Sequence, residues 1–131
     1  MLRVPTRLSD ELEDLIYRTI GCCIAVHREL GPGLLESIYS RAICMELGAE
    51  SIRYERERLV PVVYRNQVLC SQRVDLVVEQ QLVLEVKAVE RFHPVHEAQV
   101  LSYLHLTKLP IGLLINFNVA VLKAGVKRIV L

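Results

Sequence analysis

The chain has 131 residues, which suits one domain and leaves no room for a second, so we predict a single domain over residues 1–131. Its formal net charge of +1 excludes the strongly basic class of nucleic-acid-binding domains, so any contact with nucleic acid must be local. Although 52% of the residues are hydrophobic, no stretch approaches the ~18 uninterrupted apolar residues of a membrane span, and the N-terminal segment turns acidic where a signal peptide would be apolar. We therefore predict a soluble, cytoplasmic protein that does not associate with membranes.

The cysteines contain no CxxC pair of the kind that forms zinc or redox sites. Cys22, Cys23, Cys44 and Cys70 are therefore interpreted as core thiols. The alternative is a metal cluster of Cys22, Cys23 and His27, because Cys23 and His27 lie one helical turn apart. No further ligand is evident for such a cluster.

Two helices are predicted before any strand. Ser9 is a capping residue for a helix over residues 10–30, which has acidic residues in its first turn and apolar residues at helical spacing. A Gly-Pro-Gly turn at residues 31–33 ends it, and a second helix follows over residues 34–47, with Gly48 as its terminator. The second helix carries an apolar stripe, formed by Leu35, Ile38, Ala42 and Met45.

The segment between the helices and the strands, "ESIRYERERL", contains a local group of basic residues. Arg53, Arg56 and Arg58 alternate with acidic residues that cancel their charge. This pattern is typical of a solvated face, and we predict no function for it.

From about Leu59 the apolar period changes to that of strands. Residues 59–64, 68–78 and 82–89 predict a meander of three antiparallel strands, with one turn at residues 65–67 and a second centred on Gln80. The rest of the chain predicts a helix over 93–107, a strand covered on both faces over 111–117, and an edge strand over 125–131.

Charged residues interrupt the second hairpin at Asp75, Glu85 and Lys87. Side chains alternate along a strand, so Glu85 and Lys87 share one face; on the preceding strand Val74, Leu76 and Val78 form an apolar set opposite Asp75 and Val77. With the turn centred on Gln80, Asp75 lies directly across from Glu85.

Opposed carboxylates repel each other, so something must compensate. A divalent cation held by Asp75 and Glu85 is one solution, and Lys87 would then orient water or stabilise charge at a phosphate, which is the chemistry of metal-assisted hydrolysis. The alternative is that Lys87 pairs with Asp75 or Glu85 in an ordinary surface salt bridge. The spacing alone leaves both interpretations open and favours the salt bridge.

Five segments of the chain occur together in a known family and in the same order: "GLLESIY" at residues 33–39, then "RVDLVV", "LEVKAV", "HEAQVLSYL" and "GLLINF". They resemble blocks of the PD-(D/E)XK nuclease superfamily, and within it of the small GxxExxY proteins, whose naming motif matches the first segment. One departure is Val74, where the superfamily name has proline. The resemblance runs from about residue 10 to residue 131.

The resemblance implies an α/β fold with a restriction-endonuclease-like core, in which a mixed β-sheet is flanked by helices and two helices precede the sheet. It implies that Asp75 and Glu85 are metal ligands, that Glu36 completes the metal site, and that Lys87 is the catalytic lysine. Gln99 and Tyr103 resemble the Q-x-x-x-Y element of RecB-type exonucleases and would join the catalytic set.

The helical spacing is compatible with such a site. His96, Gln99 and Tyr103 fall on one helical face that could border the hairpin. For His96 a partly packed or helix-terminal histidine is favoured over a ligand, and for Gln99 and Tyr103 the alternative is a hydrogen-bonded pair that supports the sheet.

These observations predict a nuclease that depends on Mg²⁺ or Mn²⁺ and hydrolyses phosphodiesters in nucleic acid, with DNA as the expected substrate and no strong sequence specificity. The alternative is a non-catalytic interaction module that keeps the nuclease-like fold. In either case the high apolar content of a short chain, with a mean hydropathy of +0.31, is compatible with a homodimer or a subunit of a larger assembly.

Overall fold

The computed structural model describes residues 8–131. Two helices, α1 (Asp10–Leu30) and α2 (Glu36–Ala49), precede every strand, and a third, α3 (Pro94–Thr107), lies between the third and fourth strands. The strands are β1 (Tyr54–Tyr64), β2 (Gln67–Val78), β3 (Leu82–Lys87), β4 (Ile111–Asn116) and β5 (Val126–Val130), and a short 3₁₀ helix covers Leu122–Gly125. No helix within residues 8–131 is long and apolar enough to cross a membrane.

The strands form one mixed sheet in the order β1-β2-β3-β4-β5. β1, β2 and β3 are antiparallel neighbours, as the predicted meander requires, and the turn at residues 79–81 is centred on Gln80 because Val78 pairs with Leu82. β4 joins β3 in parallel, with α3 as the crossover, and β5 closes the sheet antiparallel to β4.

Helices cover both faces of this sheet. On one face α1 and α2 pack against alternate residues of β2, β3 and β4, including Leu76, Leu84 and Leu113. On the other face α3 packs through Val100 and Leu104 against the intervening strand residues. β3 and β4 are consequently buried on both faces, which explains the near-continuous apolar run predicted for β4.

The helix ends follow local sequence signals. Ser9 caps α1, with its hydroxyl accepting a hydrogen bond from the backbone N–H of Leu12, and Gly31 ends α1 at a φ of 68°. α2 runs through its predicted terminator Gly48 to Ala49, and the chain turns instead at Ser51, which has a φ of 57°. The second helix is therefore displaced by two residues from the prediction at each end.

The outward face of α2 differs from what its apolar stripe suggests. The core takes Tyr39, Ile43 and Leu47, whereas the stripe residues Leu35, Ile38 and Met45 are exposed. α2 thus carries apolar residues on two faces, and only one of them is covered within residues 8–131.

The hairpin of β1 and β2 extends beyond the other three strands of the sheet. Within β2, the residues Leu76–Val78 pair with β3, while β1 and β2 remain paired to each other as far as Tyr64 and Gln67. We call residues 59–73 the hairpin arm. Its side chains are largely exposed, including Leu59, Tyr64 and Val68.

The core also accounts for most of the cysteines. Cys22, Cys23 and Cys44 are buried free thiols, whereas Cys70 is exposed on the hairpin arm, which corrects its assignment to the core. His27 uses Nε2 to contact the carbonyl oxygen of Val119 at 2.8 Å. Within residues 8–131 no cluster of cysteine and histidine with metal-binding geometry is present.

Candidate active site

The two carboxylates of the second hairpin lie where its strands separate. The backbone ladder between β2 and β3 ends at the pair Leu76 and Leu84. Beyond it, Glu85 Oε1 accepts a hydrogen bond from the backbone N–H of Asp75 at 3.0 Å, and Asp75 Oδ2 accepts one from the N–H of Val86 at 2.8 Å. The side chains thus replace carbonyl oxygens as acceptors and hold the two carboxyl groups between the strands.

A kink in the neighbouring strand accompanies this arrangement. The β1–β2 ladder passes from the pair Arg56–Leu76 to the pair Arg58–Val74 and skips Glu57, whose φ is 56°. Left-handed backbone of this kind is unfavourable for a non-glycine residue, so the surrounding structure must hold it.

The alternation of β2 side chains also breaks at this point. Leu76 and Val78 pack with α1 and α2, but Val74 packs with Val77 and Val83 on the α3 side. The prediction that Val74, Leu76 and Val78 form one apolar set is therefore wrong for Val74, because the kink at Glu57 interrupts the regular pleat next to Asp75.

Burial makes this carboxyl pair hard to ionise. Glu85 is 3% exposed, and burial together with the negative charge of Asp75 raises the pKa of Glu85 to about 8. Burial also raises the pKa of Asp75, while the Val86 N–H and the charge of Lys87 act in the opposite direction. The interaction between the two carboxyls raises the pKa of Glu85 and lowers that of Asp75, so Glu85 takes up a proton more readily than Asp75.

Lys87 supplies positive charge beside the pair. It lies two residues after Glu85 on β3 and is half-buried, and its backbone is paired with Asn116 on β4. Its charge lowers the pKa of Asp75, Glu85 and His96 alike. Lys87 makes no ion pair with either carboxylate in the part of the chain described, so the predicted surface salt bridge is not formed.

Glu36 begins α2 beside the site. Its Oε2 accepts a hydrogen bond of 2.9 Å from the backbone N–H of Ala88, the residue after Lys87, and its charge raises the pKa of Asp75. Glu36, Ser40, Arg56 and Asp75 border a small cavity of about 190 Å³. Glu36 thus ties the start of α2 to the end of β3.

The residues around Glu36 explain the spacing of the segment 33–39. Gly33 has a φ of 99°, which a side chain would strain. The hydroxyl of Tyr39 donates to the carbonyl of Gly31 at 2.5 Å and accepts from the N–H of Leu34 at 3.1 Å, while its ring stacks on Phe117. Gly33 therefore forms the turn, Glu36 connects the start of α2 to β3, and Tyr39 holds the turn in place through its hydroxyl.

Two α3 residues interact electrostatically with different parts of the site: Tyr103 with Glu85 and Asp75, and His96 with Lys87 and Glu36. Burial, and then the charges of Glu85 and Asp75, raise the pKa of Tyr103 to about 12, so its hydroxyl stays protonated. Burial and the charge of Lys87 lower the pKa of His96, whose Nδ1 accepts a hydrogen bond from the N–H of His93. Because Nδ1 accepts this bond, the proton of the neutral His96 ring lies on Nε2.

Gln99 occupies a different position. With Tyr103, it lines a cleft of about 580 Å³ between α3 and the hairpin arm, opposite Val62 and Gln72. The structure brings Tyr103 beside the carboxylates and places Gln99 in the adjoining cleft.

Comparison with known proteins decides the family. The family model described as PD-(D/E)XK nuclease superfamily matches residues 13–129. This chain belongs to the PD-(D/E)XK nuclease superfamily. No curated protein and no solved structure gives a significant match.

Membership and topology together establish the fold of this PD-(D/E)XK protein. The mixed five-stranded sheet with two helices before it is a restriction-endonuclease-like α/β fold, as predicted. The family also indicates nuclease-type activity and nucleic acid as the class of partner. The narrower GxxExxY assignment stays a prediction.

Nucleases of the PD-(D/E)XK superfamily generally use divalent metal ions. Asp75 and Glu85 could bind a divalent ion, because each keeps one carboxyl oxygen that is not bonded to the backbone. The positive charge of the ion would also offset the repulsion between the two carboxylates. Glu36 likewise has one oxygen bonded to a backbone N–H, that of Ala88, and residues 8–131 contain no group of three or more His, Cys, Asp or Glu side chains with metal-binding geometry. The assignment of Asp75, Glu85 and Glu36 as metal ligands stays a prediction.

Sequence reasoning missed two residues of this PD-(D/E)XK site. Arg56 was interpreted as part of a solvated face, but it is half-buried, contacts Ser40 through Nε at 3.5 Å and borders the cavity of Glu36 and Asp75. Asn116 is buried at the end of β4; its Oδ1 accepts from the N–H of Val89 and its Nδ2 donates to the carbonyl of the same residue. An asparagine within the apolar run "GLLINF" was the available signal.

Proposed function

We propose that the protein is a nuclease that depends on Mg²⁺ or Mn²⁺ and hydrolyses phosphodiester bonds in nucleic acid, with DNA as the expected substrate. The observation that carries the proposal is the pair of buried carboxyl groups, Asp75 and Glu85, each fixed by a backbone N–H of the opposite strand beside Lys87. This is an unfavourable arrangement for a purely structural hairpin, and a bound cation offsets its cost.

Asp75 and Glu85 would hold the ion, and Glu36, whose Oε2 accepts from the N–H of Ala88, would contribute Oε1. A bound divalent ion supplies Lewis-acid polarisation of the phosphate and a lower pKa for the attacking water. Lys87, held at the end of β3, places a point charge where negative charge develops on the phosphate oxygens. Neutral His96 and protonated Tyr103 would serve as hydrogen-bond donors.

The cleft beside α3 would position the substrate. It shares Tyr103 with the site and offers the amide groups of Gln72 and Gln99 together with apolar walls. The net charge of +1 supports weak autonomous binding, because neutralisation of phosphates supplies most non-specific affinity. We therefore propose recognition of nucleic-acid structure or ends without strong sequence specificity.

An assay of single-stranded, double-stranded and branched DNA and RNA with Mg²⁺, Mn²⁺ or chelator tests the proposal. We expect metal-dependent cleavage by the wild type and none by Asp75→Asn or Glu85→Gln. Glu79→Gln, which removes a half-buried carboxylate paired with Arg53 in the turn of the same hairpin, is the matched control and should stay active.

The second candidate is a non-catalytic assembly module, and the uncovered face of α2 favours it. Absence of cleavage under every condition, together with no metal-induced rise in the unfolding temperature of the wild type, would support the module and overturn the nuclease.

A further inference from the structure

The outward face of α2 has the residue spacing of a helix–helix interface. Its apolar residues Ile38, Ala42 and Met45, together with the N-cap residue Leu35, follow one another at intervals of three, four and three residues. Ala42 is half-buried and also packs against the core. Leu35, Ile38 and Met45 are 72%, 41% and 77% exposed, because the core uses the opposite stripe of the helix. An apolar repeat averaging about 3.5 residues is the pattern of a seam between two helices.

A groove of about 390 Å³ between α1 and α2 lies on the Glu46 side of this stripe. Its α1 wall combines Arg18 with apolar residues that include Tyr17 and Ile20, and Glu46 and Glu50 line its α2 side. Tyr17 is 78% exposed, and a Cβ placed on Gly21 would meet no atom, so another helix could approach α1 closely there. Exposed apolar surface is therefore present on α1 as well, separated from the α2 stripe by Glu46.

Two charged residues flank the stripe on opposite sides. In a heptad numbering of the stripe, Leu35 and Ala42 hold the first position and Ile38 and Met45 the fourth. Arg41 then holds the last position of the first heptad, and Glu46 holds the fifth position of the second. Neither side chain makes an ion pair or a side-chain hydrogen bond among the bonds described for residues 8–131. Both charges therefore flank the stripe without an ion pair within that part of the chain, and Arg18 lines the same groove as Glu46.

These charges specify a partner helix of the same sequence. In two parallel helices in register, residues at these flanking positions meet across the seam when they are five apart, so Arg41 of each copy meets Glu46 of the other. In an antiparallel pair each residue meets its own equivalent, and like charges repel. The charge pattern is thus complementary to a second copy in the parallel orientation.

We propose that the protein forms a two-fold symmetric dimer in which α2 packs parallel to α2 of a second copy, with each α2 seated against the groove of the other protomer. The interface is isologous, since one surface supplies both the apolar seam and both signs of charge. α2 has 14 residues, about two heptads, so the seam needs the neighbouring α1 surface to give a stable interface. The proposal does not depend on nuclease activity.

The first test is the molar mass of the full chain in solution from about 1 to about 100 µM, measured by sedimentation equilibrium. We expect a monomer–dimer equilibrium that Met45→Glu and Ile38→Glu each weaken at least about tenfold. Val68→Glu on the hairpin arm is the matched control, since Val68 is 65% exposed, and it should leave the equilibrium unchanged. A wild-type monomer at every concentration, or a dimer that Val68→Glu disrupts and Met45→Glu does not, overturns the proposal.

A charge exchange tests the orientation. Arg41→Glu and Glu46→Arg should each weaken the dimer by about tenfold, and the double variant should restore it, because the reversed pair attracts equally across a parallel seam. Because Arg41 is exposed and Glu46 only half-buried, circular dichroism can verify that each variant stays folded. Single variants that dimerise as strongly as the wild type, or a double variant no stronger than the singles, overturn the parallel arrangement.

Discussion

The side chain of Glu36 and the backbone of Ala88, 52 residues apart, are joined by a hydrogen bond of 2.9 Å. The bond connects the first residue of α2 to the residue that follows Lys87. It therefore fixes the end of β3, and with it the direction in which Lys87 leaves the strand.

Glu36→Ala removes this bond and a carboxylate of the site, so we expect cleavage to fall by about 10²-fold or more. Glu36→Gln keeps an acceptor for Ala88 and removes only the charge. The two variants therefore separate positioning of β3 from the chemistry of the carboxylate. Steady-state cleavage rates provide the measurement, with the exposed Glu29→Ala on α1 as the control. Full activity in Glu36→Ala would remove Glu36 from the site.

Asp75→Asn and Glu85→Gln should abolish cleavage and, in chelator, stabilise the fold at alkaline pH. Since the folded pKa of Glu85 is raised from 4.5 to about 8, its contribution to stability is fully present below 4.5 and is lost as pH rises through about 8. Glu85→Gln retains an acceptor for the Asp75 N–H but cannot ionise, so its stability should not fall over this interval. Urea unfolding in chelator at about pH 5 and about pH 9 measures the difference. A wild type whose stability rises between those values would contradict the assigned protonation.

Lys87→Met should reduce cleavage by about 10²- to 10³-fold, because it removes the positive charge beside the carboxyl pair. Lys87→Arg should restore little, since a planar guanidinium does not replace a compact ammonium at a single point. The same Lys87→Met change should raise the pKa of Glu85 further, which NMR titration of that carboxyl can follow. An unchanged titration would show that Lys87 does not act on Glu85.

Tyr103→Phe should retain most of the stability, because the ring is buried among Val77, Val100 and Leu114 and remains in place. The loss of the hydroxyl should lower cleavage by about tenfold if it donates a hydrogen bond within the site. Since the pKa of Tyr103 is raised to about 12, the wild-type rate should show no titration of this group at neutral pH. Rates measured between about pH 6 and about pH 9 test both statements.

Asn116→Ala should destabilise the protein by about 1 to 3 kcal/mol, because the buried amide bonds both the N–H and the carbonyl of Val89. The change should also lower activity, since Val89 lies two residues beyond Lys87. Asn118→Ala on the adjacent loop is the control. Asn116→Ala should have both a lower unfolding midpoint and a lower cleavage rate than Asn118→Ala.

The sequence was sufficient for those features that depend on local periodicity and turns. The β2–β3 register followed from the polar turn at Gln80, and α1 followed from its cap at Ser9 and its apolar spacing. Glu36 entered the predictions through resemblance alone, because nothing in local sequence indicates a contact with Ala88. The domain count and the catalytic roles of Asp75, Glu85, Lys87, Glu36, Gln99 and Tyr103 stay predictions.

Features set by tertiary contacts escaped sequence reasoning. Arg56 appeared to be neutralised by its neighbours along the chain, but the kink at Glu57 places it against α2. α2 is apolar on two faces, so periodicity alone could not decide which stripe the core would take. Hydrophobic patterning identifies the apolar faces of a helix, but only tertiary packing decides which of two apolar faces is buried in the core.

The buried carboxyl pair also bears on how such a chain changes over generations. Its amide variants should fold at least as well as the wild type in the absence of metal, so selection for folding alone does not preserve Asp75 or Glu85. A descendant released from selection for catalysis would therefore lose these carboxylates early and keep the sheet, the helices and the surface of α2. Descendants with intact folds and without this pair are the expected outcome, because the two carboxyls repel each other in the centre of the sheet when no cation is bound.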